Sequence, residues 1–344
     1  MDLIKLIIHF CSRATKSQQV DLGSMEVIMG SHRKVVIALG GNALQESNTQ
    51  STAEAQFEVV KKTSEIIADI KCIFGYEIAI AHGNGPQVGR ILLASETASN
   101  VTPPMPLDVC LAMSQGYIGY HIQQGLSHAL ANRNRTLPVV TLVTQVVVDK
   151  DDPAFLNPTK PIGPFYSEED AKKLAAEKNY ILKEDAGRGW RRVIASPVPK
   201  RIVEIHEIKE LWDSTIVITV GGGGIPVIEK EDGTLVGVPA VIDKDLAAEK
   251  LAEEVGADIL LILTEVERVS LNYKKPNQID LEHMTVAECE RYITEGHFTP
   301  GSMLPKVQAA MTFAKLGSGR KAIIASLYKA VDALYSTSGT VITL

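Results

Sequence analysis

Three glycine-rich turns, each directly behind a short apolar run, constrain the fold of this chain more than any other feature. Val35-Val36-Ile37-Ala38-Leu39 leads into Gly40-Gly41-Asn42, and Glu77-Ile78-Ala79-Ile80-Ala81 leads into His82-Gly83-Asn84-Gly85-Pro86. Residues 215–220 lead into four consecutive glycines, Gly221 to Gly224. Continuous β-branched runs of this length suit strands buried on both faces, as in a parallel sheet covered by helices. Between them, residues 54–71 place Phe57, Val60, Ile67 and Ile70 at helical spacing. Residues 113–133 and 245–255 also read as helices, and 137–148 as one or two strands. Residues 258–266, 321–327 and 340–344 supply further strands. Strands alternating with helices predict a three-layer α/β/α sandwich on a mainly parallel central sheet.

One stretch breaks the rhythm. Residues 149–199 are dense in proline, glycine and charge, with one short helix expected near 168–178. The stretch also holds Phe155, Phe165, Tyr166 and Trp190, which a disordered linker would lack. It reads as a small inserted subdomain, a lid. Residues 1–33 read as an extension outside the fold, with organelle targeting as the weaker alternative to a cytoplasmic location. Their acidic Asp2, Asp21 and Glu26 argue against a transit peptide, and no small-residue cleavage pattern marks a secretory signal.

Composition narrows the function. Lys and Arg total 35 against 41 Asp and Glu, a net charge of −6, which argues against a nucleic-acid binder. The cysteines Cys11, Cys72, Cys110 and Cys289 form no CxxC pair, so neither a disulfide scaffold nor a zinc site is expected, and a cytoplasmic location is. No apolar run approaches the roughly 20 residues that cross a bilayer, so no membrane partner is expected. The histidines show no HxxxH or HExxH spacing, and no metal ligands are assigned.

Glycines at the carboxyl ends of parallel strands let backbone N–H groups approach an anion without a Cβ in the way. The common phosphate fingerprints are missing. There is no GxxxxGK[ST], no HRD or DFG, and the run from Gly83 to Gly89 is one residue too long for GxGxxG. Three lysines stand out instead. Lys160 sits between Pro158 and Pro161 on the lid. Lys244 lies between Asp243 and Asp245 at an expected helix start, and Lys306 opens another helix. A helix dipole disfavours a cation at its N-terminus, so such lysines suit an anion shared with the backbone amides. Ser114 lacks the GxSxG of a nucleophile elbow.

Taken in order, the blocks 38–44, 82–89, 113–120, 157–163, 184–189, 221–226, 240–245 and 300–306 resemble the carbamate kinases of the amino-acid-kinase superfamily. The lid motif Asn157-Pro158-Thr159-Lys160-Pro161-Ile162-Gly163 and the stretch 184–189 carry the closer likeness. The resemblance implies reversible phosphoryl transfer between ATP and carbamate, run toward ATP synthesis in arginine and carbamoyl-phosphate breakdown. It implies Mg²⁺ carried by the nucleotide phosphates, and a homodimer. Residues 34–214 would form the carbamate-side lobe and 215–344 the nucleotide lobe. Lys160 would reach the carbamoyl phosphate from the lid. Lys244 and Lys306 would neutralise the transferring phosphoryl group, with Asp245 holding them. The amides of Gly40, Gly41, Asn42, Gly83 and Asn84 would cradle carbamate. Gly221, Gly222, Gly223 and Asp243 would lie by the nucleotide phosphates, and Tyr273 and Met303 by adenine. Glu265, Lys274 and Trp190 depart from the family pattern, where aspartate, glycine and tyrosine are usual. A relative with another acceptor (acetylglutamate, glutamate or UMP) and a silent nucleotide or carbamoyl-phosphate binder are the competing expectations.

Overall fold

The computed structural model describes residues 33–45, 52–185 and 187–344. The expected extension over 1–33 therefore lies outside the described residues, apart from Arg33. The central sheet is built from Lys34–Leu39 (β1), Glu77–His82 (β2), Val139–Thr141 (β3), Ile216–Ile218 (β4), Ile259–Thr264 (β5), His283–Thr285 (β6), Lys321–Ser326 (β7) and Thr340–Thr343 (β8). Its order is β6-β8-β7-β5-β1-β2-β4-β3. Every pair is parallel except β7 with β8. β4, drawn from the start of the expected nucleotide lobe, pairs with β2 and β3.

The layers follow from the period of two along each strand. In β1, Val36 and Ala38 join a core with Leu251 and Phe313, whereas Val35, Ile37 and Leu39 join a core with Ile67, Ile122 and Leu126. One face is covered by helices Ala53–Phe74 (α1) and Leu107–Ala131 (α3), which flank Gly85–Thr97 (α2) in the chain. The other is covered by Lys244–Glu254 (α4) and Met303–Lys315 (α5). All five residues from Val35 to Leu39 have no exposure, and burying each large apolar side chain contributes roughly 1.5–3 kcal/mol. α1 starts where the Thr52 side chain accepts from the Ala55 N–H and stops at Gly75, whose φ of 68° suits a residue without Cβ.

The 149–199 stretch has its own structure. Strands Lys160–Tyr166, Trp190–Ile194 and Leu182–Glu184 form a three-stranded antiparallel sheet, with the helix Glu168–Lys178 inserted between two of them. Ser167 caps that helix by accepting from the Asp170 N–H. The lid thus has ordered strands, although its only buried side chain in the helix is Ala171.

Candidate active site

β1, β2 and β4 deliver their glycine turns to the same end of the sheet, beside the first turn of α4. A cleft of about 710 Å³ opens there, lined by Gly41, Gly83, Asn84 and Gly222 from the turns and by Lys160, Asp243, Lys244, Asp245 and Lys306. This is the carboxyl edge of the parallel strands, where ligands bind in open α/β sheets.

The charged residues form one continuous chain. Asp243 is the N-cap of α4, and its Oδ1 accepts from the Asp245 N–H at 2.9 Å. Capping fixes that carboxylate, and its free Oδ2 accepts from Lys160 Nζ at 2.6 Å. Asp245 lies in the first helical turn, with its side chain 2% exposed. Its Oδ1 accepts from Lys244 Nζ, and its Oδ2 accepts from Lys306 Nζ at 2.9 Å. Three ammonium groups from three elements therefore meet two carboxylates, leaving one net positive charge in the cleft.

Burial alone would raise the Asp245 carboxyl, but the ammonium groups of Lys244 and Lys306 outweigh it and hold it well below the usual range. The two lysines respond differently to that shared partner. Burial pulls Lys244 below the ordinary lysine value despite Asp245, and the nearby charge of Lys306 adds to the fall. Burial also pulls on Lys306, yet Asp245, with Asp243 and Glu265 behind it, carries it above that value. Lys244 loses more of its hydration, so the same carboxylate compensates it less completely.

The glycines have separate reasons to be there. A Cβ on Gly222 would stand 2.1 Å from Asn84 Nδ2, and one on Gly223 would stand 2.3 Å from the Ile242 carbonyl oxygen. Gly222, Gly223 and Gly224 also hold φ values of 67°, 91° and 83°. Some expected amide donors are already engaged. The Gly40 N–H donates to Leu263 O at 3.1 Å, Gly83 N–H to Leu39 O at 3.2 Å, and Gly223 N–H to Val220 O at 3.0 Å. The first two extend the ladders between neighbouring parallel strands and the third closes a turn, so the Gly40 and Gly83 amides are engaged within the sheet, which corrects the expectation that they face a ligand. Gly40, Asn42, Gly221 and Gly223 do not line the cleft, whereas Gly41, Gly83, Asn84 and Gly222 do.

A second cavity of about 650 Å³ is lined by Thr264, Glu265, Arg268, Tyr273, His297 and Met303, and it shares Lys306 with the cleft. Tyr273 and Met303, both expected by adenine, line this one cavity. Lys274 has a φ of 61°, the left-handed region that favours glycine, which gives its departure from the family pattern a physical cost. Its Nζ lies 5.4 Å from the Tyr273 ring centroid, a cation–π distance.

Several supporting side-chain contacts were not read from sequence. Asn84 Nδ2 donates to Ser114 Oγ at 2.7 Å, and Ser114 Oγ donates to Leu111 O at 2.7 Å. Ser114 is thus a holder of Asn84, in keeping with its missing elbow motif. Gln115 Nε2 donates to Gly221 O at 3.0 Å and Thr144 O at 3.1 Å, while its Oε1 accepts from Thr144 N–H at 2.8 Å. His82 is buried with Nδ1 2.8 Å from Gly83 O. A carbonyl only accepts, so Nδ1 carries the proton. Burial, opposed by that bond and aided by the Lys244 charge, depresses the ring to about 4 and keeps it neutral at pH 7. The signal for the Ser114 and Gln115 pair was the run Met113-Ser114-Gln115-Gly116, which puts two polar side chains on the buried side of the helix.

Comparison with known proteins gives the family. The model of the amino acid kinase family matches residues 33–326. The carbamate kinase of Pyrococcus horikoshii is 56% identical over 313 residues, covering 90% of this chain and 99% of that one. The carbamate kinase of Clostridium perfringens is 54% identical over 311 residues, covering 89% and 98%. A solved carbamate kinase from Giardia lamblia, bound to AMP-PNP, superposes with a TM-score of 0.84 at 46% identity, covering 91% of this chain and 99% of that one. The chain belongs to the amino acid kinase family and, within it, to the carbamate kinases.

Proposed function

We propose that this phosphotransferase moves a phosphoryl group reversibly between ATP and carbamate, and that it works toward ATP from carbamoyl phosphate and ADP in arginine breakdown. The observation that carries the reading is the convergence of Lys160, Lys244 and Lys306 on two aspartates in a glycine-lined cleft that shares Lys306 with a second cavity. The cleft is the acceptor side and the second cavity the nucleotide side. The second cavity is lined wholly by residues from 264 to 306, which supports a nucleotide lobe over that span, whereas residues 216–218, expected in the same lobe, form β4 between β2 and β3.

Phosphoryl transfer passes through a loose transition state with charge spread over the equatorial oxygens, so fixed positive charge and in-line placement do most of the work. Lys244 and Lys306 are held by one buried carboxylate and need little reorganisation when that charge develops. A carbamate oxygen is already anionic, so no general base is required, and neutral His82 is not asked to be one. Lys160 reaches the carbamoyl phosphate from the lid, Gly41, Gly83 and Asn84 shape the space for it, and Gly222 lies on the side of the nucleotide phosphates.

Mg²⁺ belongs on the nucleotide. All four oxygens of Asp243 and Asp245 already accept hydrogen bonds, three of them from ammonium groups, so this donor set does not suit a protein-held divalent ion. Among the described residues there is no group of three or more His, Cys, Asp or Glu side chains fit for a metal. A homodimer is proposed on an exposed apolar stripe along α3, with Val109, Met113 and Tyr120 at helical spacing and Val143 nearby in the chain fold. A cytoplasmic location is proposed on the free thiols of Cys72, Cys110 and Cys289.

The test is ATP formation from ADP, Mg²⁺ and carbamoyl phosphate, with acetyl phosphate as a parallel donor and acetylglutamate, glutamate and UMP as acceptors for ATP. Rapid ATP formation from carbamoyl phosphate alone is expected. Turnover with another acceptor would reassign the cleft. Nucleotide binding without any turnover would make the chain a binder.

A further inference from the structure

The strand that carries Lys160 is tied to the core at a second place. Strand Lys160–Tyr166 pairs with Trp190–Ile194 so that Arg192 stands opposite Ile162, two residues along from Lys160. From there Arg192 Nη1 donates to Glu96 Oε1 at 3.1 Å. The Tyr180 hydroxyl, also from the lid, donates to Glu96 Oε2. The Arg192 guanidinium lies 3.8 Å from the centroid of the Tyr180 ring. One carboxylate is therefore gripped through both oxygens by two lid side chains that also stack on each other.

Glu96 belongs to the last turn of α2, where the helix dipole disfavours an acid. Its placement makes sense as a lid contact and not as a helix stabiliser. The other end of α2 reaches the cleft, where Gly85, Pro86 and Gln87 line the wall. Midway, a Cβ on Gly89 would lie 2.1 Å from the Gly163 nitrogen, so helix and lid strand touch backbone to backbone. α2 is thus a bar that joins the cleft wall to the lid. Among the described residues Lys160 itself is held by Asp243 alone, and an incoming phosphorylated ligand competes for that ammonium. A long, flexible side chain then depends on its strand for position.

We propose that Glu96, Arg192 and Tyr180 form a latch that positions Lys160 over the cleft and thereby governs capture of the phosphorylated ligand. The proposal rests on the role given to Lys160 above. The latch touches no reacting atom; it acts through the strand that carries that lysine.

The test compares Glu96→Gln and Tyr180→Phe in the wild-type and Lys160→Ala backgrounds. Misplacing a binding group by a fraction of an ångström costs heavily, so Glu96→Gln should raise KM for carbamoyl phosphate about tenfold, with kcat and KM for ADP within about twofold. Tyr180→Phe keeps the ring under Arg192 and should raise KM about threefold. Neither change should raise KM further once Lys160 is alanine. Amide hydrogen exchange of residues 160–166 should quicken in Glu96→Gln. Unchanged KM and unchanged exchange in both variants would overturn the latch, as would an equal KM increase in the Lys160→Ala background, which marks general structural support. Absence of wild-type turnover with carbamoyl phosphate would instead reject the reaction, and the exchange measurement would still decide the latch.

Discussion

The core and the lid hold their lysines in different ways. Lys244 and Lys306 come from the first turns of α4 and α5, rest on one buried carboxylate and are only 12% and 13% exposed. Lys160 comes from a three-stranded lid sheet, rests on the single free oxygen of Asp243 and is 24% exposed. The first pair is fixed by two helices packed in the main core, and the third by a lid with almost no core of its own. Under the proposed function this difference would give them unequal work. Fixed charge suits the developing transition state, and a charge on a separable element suits ligand capture.

The harshest way to break the comparison is Asp245→Asn. It leaves Lys244 and Lys306 buried without their anion, so activity should fall by at least about 10³-fold, with a stability loss of about 3–5 kcal/mol measured by denaturant titration. Activity above a tenth of wild type would mean that the carboxylate does not organise the pair. Next, Lys244→Ala should lower kcat by about 10²–10³-fold, with KM for both substrates within about threefold in steady-state assays. A near-normal kcat would remove Lys244 from the chemistry. Lys160→Ala should show the opposite pattern, with KM for carbamoyl phosphate up about 10–100-fold and KM for ADP unchanged. An effect confined to ADP would place the lid on the nucleotide.

The helix under the core pair also carries a pH dependence. Glu249 on α4 is buried, its Oε1 has no hydrogen-bond partner among the described residues, and burial raises it to about 7. The folded carboxyl binds its proton more tightly than the unfolded one, so its contribution is fully present below about 4.5 and is lost as pH rises through 7. Glu249→Gln should therefore gain about 2 kcal/mol over wild type between pH 5 and pH 8, measured by thermal melts across that range. A constant difference would show that the carboxyl is solvated. The smallest effect belongs to the nucleotide-side loop. Lys274→Gly relieves a left-handed φ and should add up to about 1 kcal/mol, offset by the lost contact with Tyr273.

What sequence disclosed follows the same division. β1 was legible because Val35 to Leu39 are apolar on both faces, and α4 because residues 245–255 are strong helix formers. Lys244 was legible because it conflicts with the helix dipole. The latch was not: Glu96 and Arg192 are 96 residues apart, and each alone is an ordinary surface-type charge. The hold of Gln115 on Gly221 spans 106 residues and was equally hidden. The amides of Gly40 and Gly83 were misjudged because a glycine turn in sequence does not say which N–H groups the carbonyls of a neighbouring strand take up, Leu263 and Leu39 here. Val220, a buried β-branched residue at φ 43° just before the glycines, gave no sequence sign of its strain, which costs about 1–3 kcal/mol.

The most direct measurement is the rate of ATP formation at saturating carbamoyl phosphate for Lys160→Ala beside Lys244→Ala. The account predicts that excess carbamoyl phosphate restores the lid variant to within about tenfold of wild type and leaves the core variant at least about 10²-fold slow. Equal deficits at saturation in both variants would contradict the division between a core that stabilises the transferring group and a lid that captures its donor.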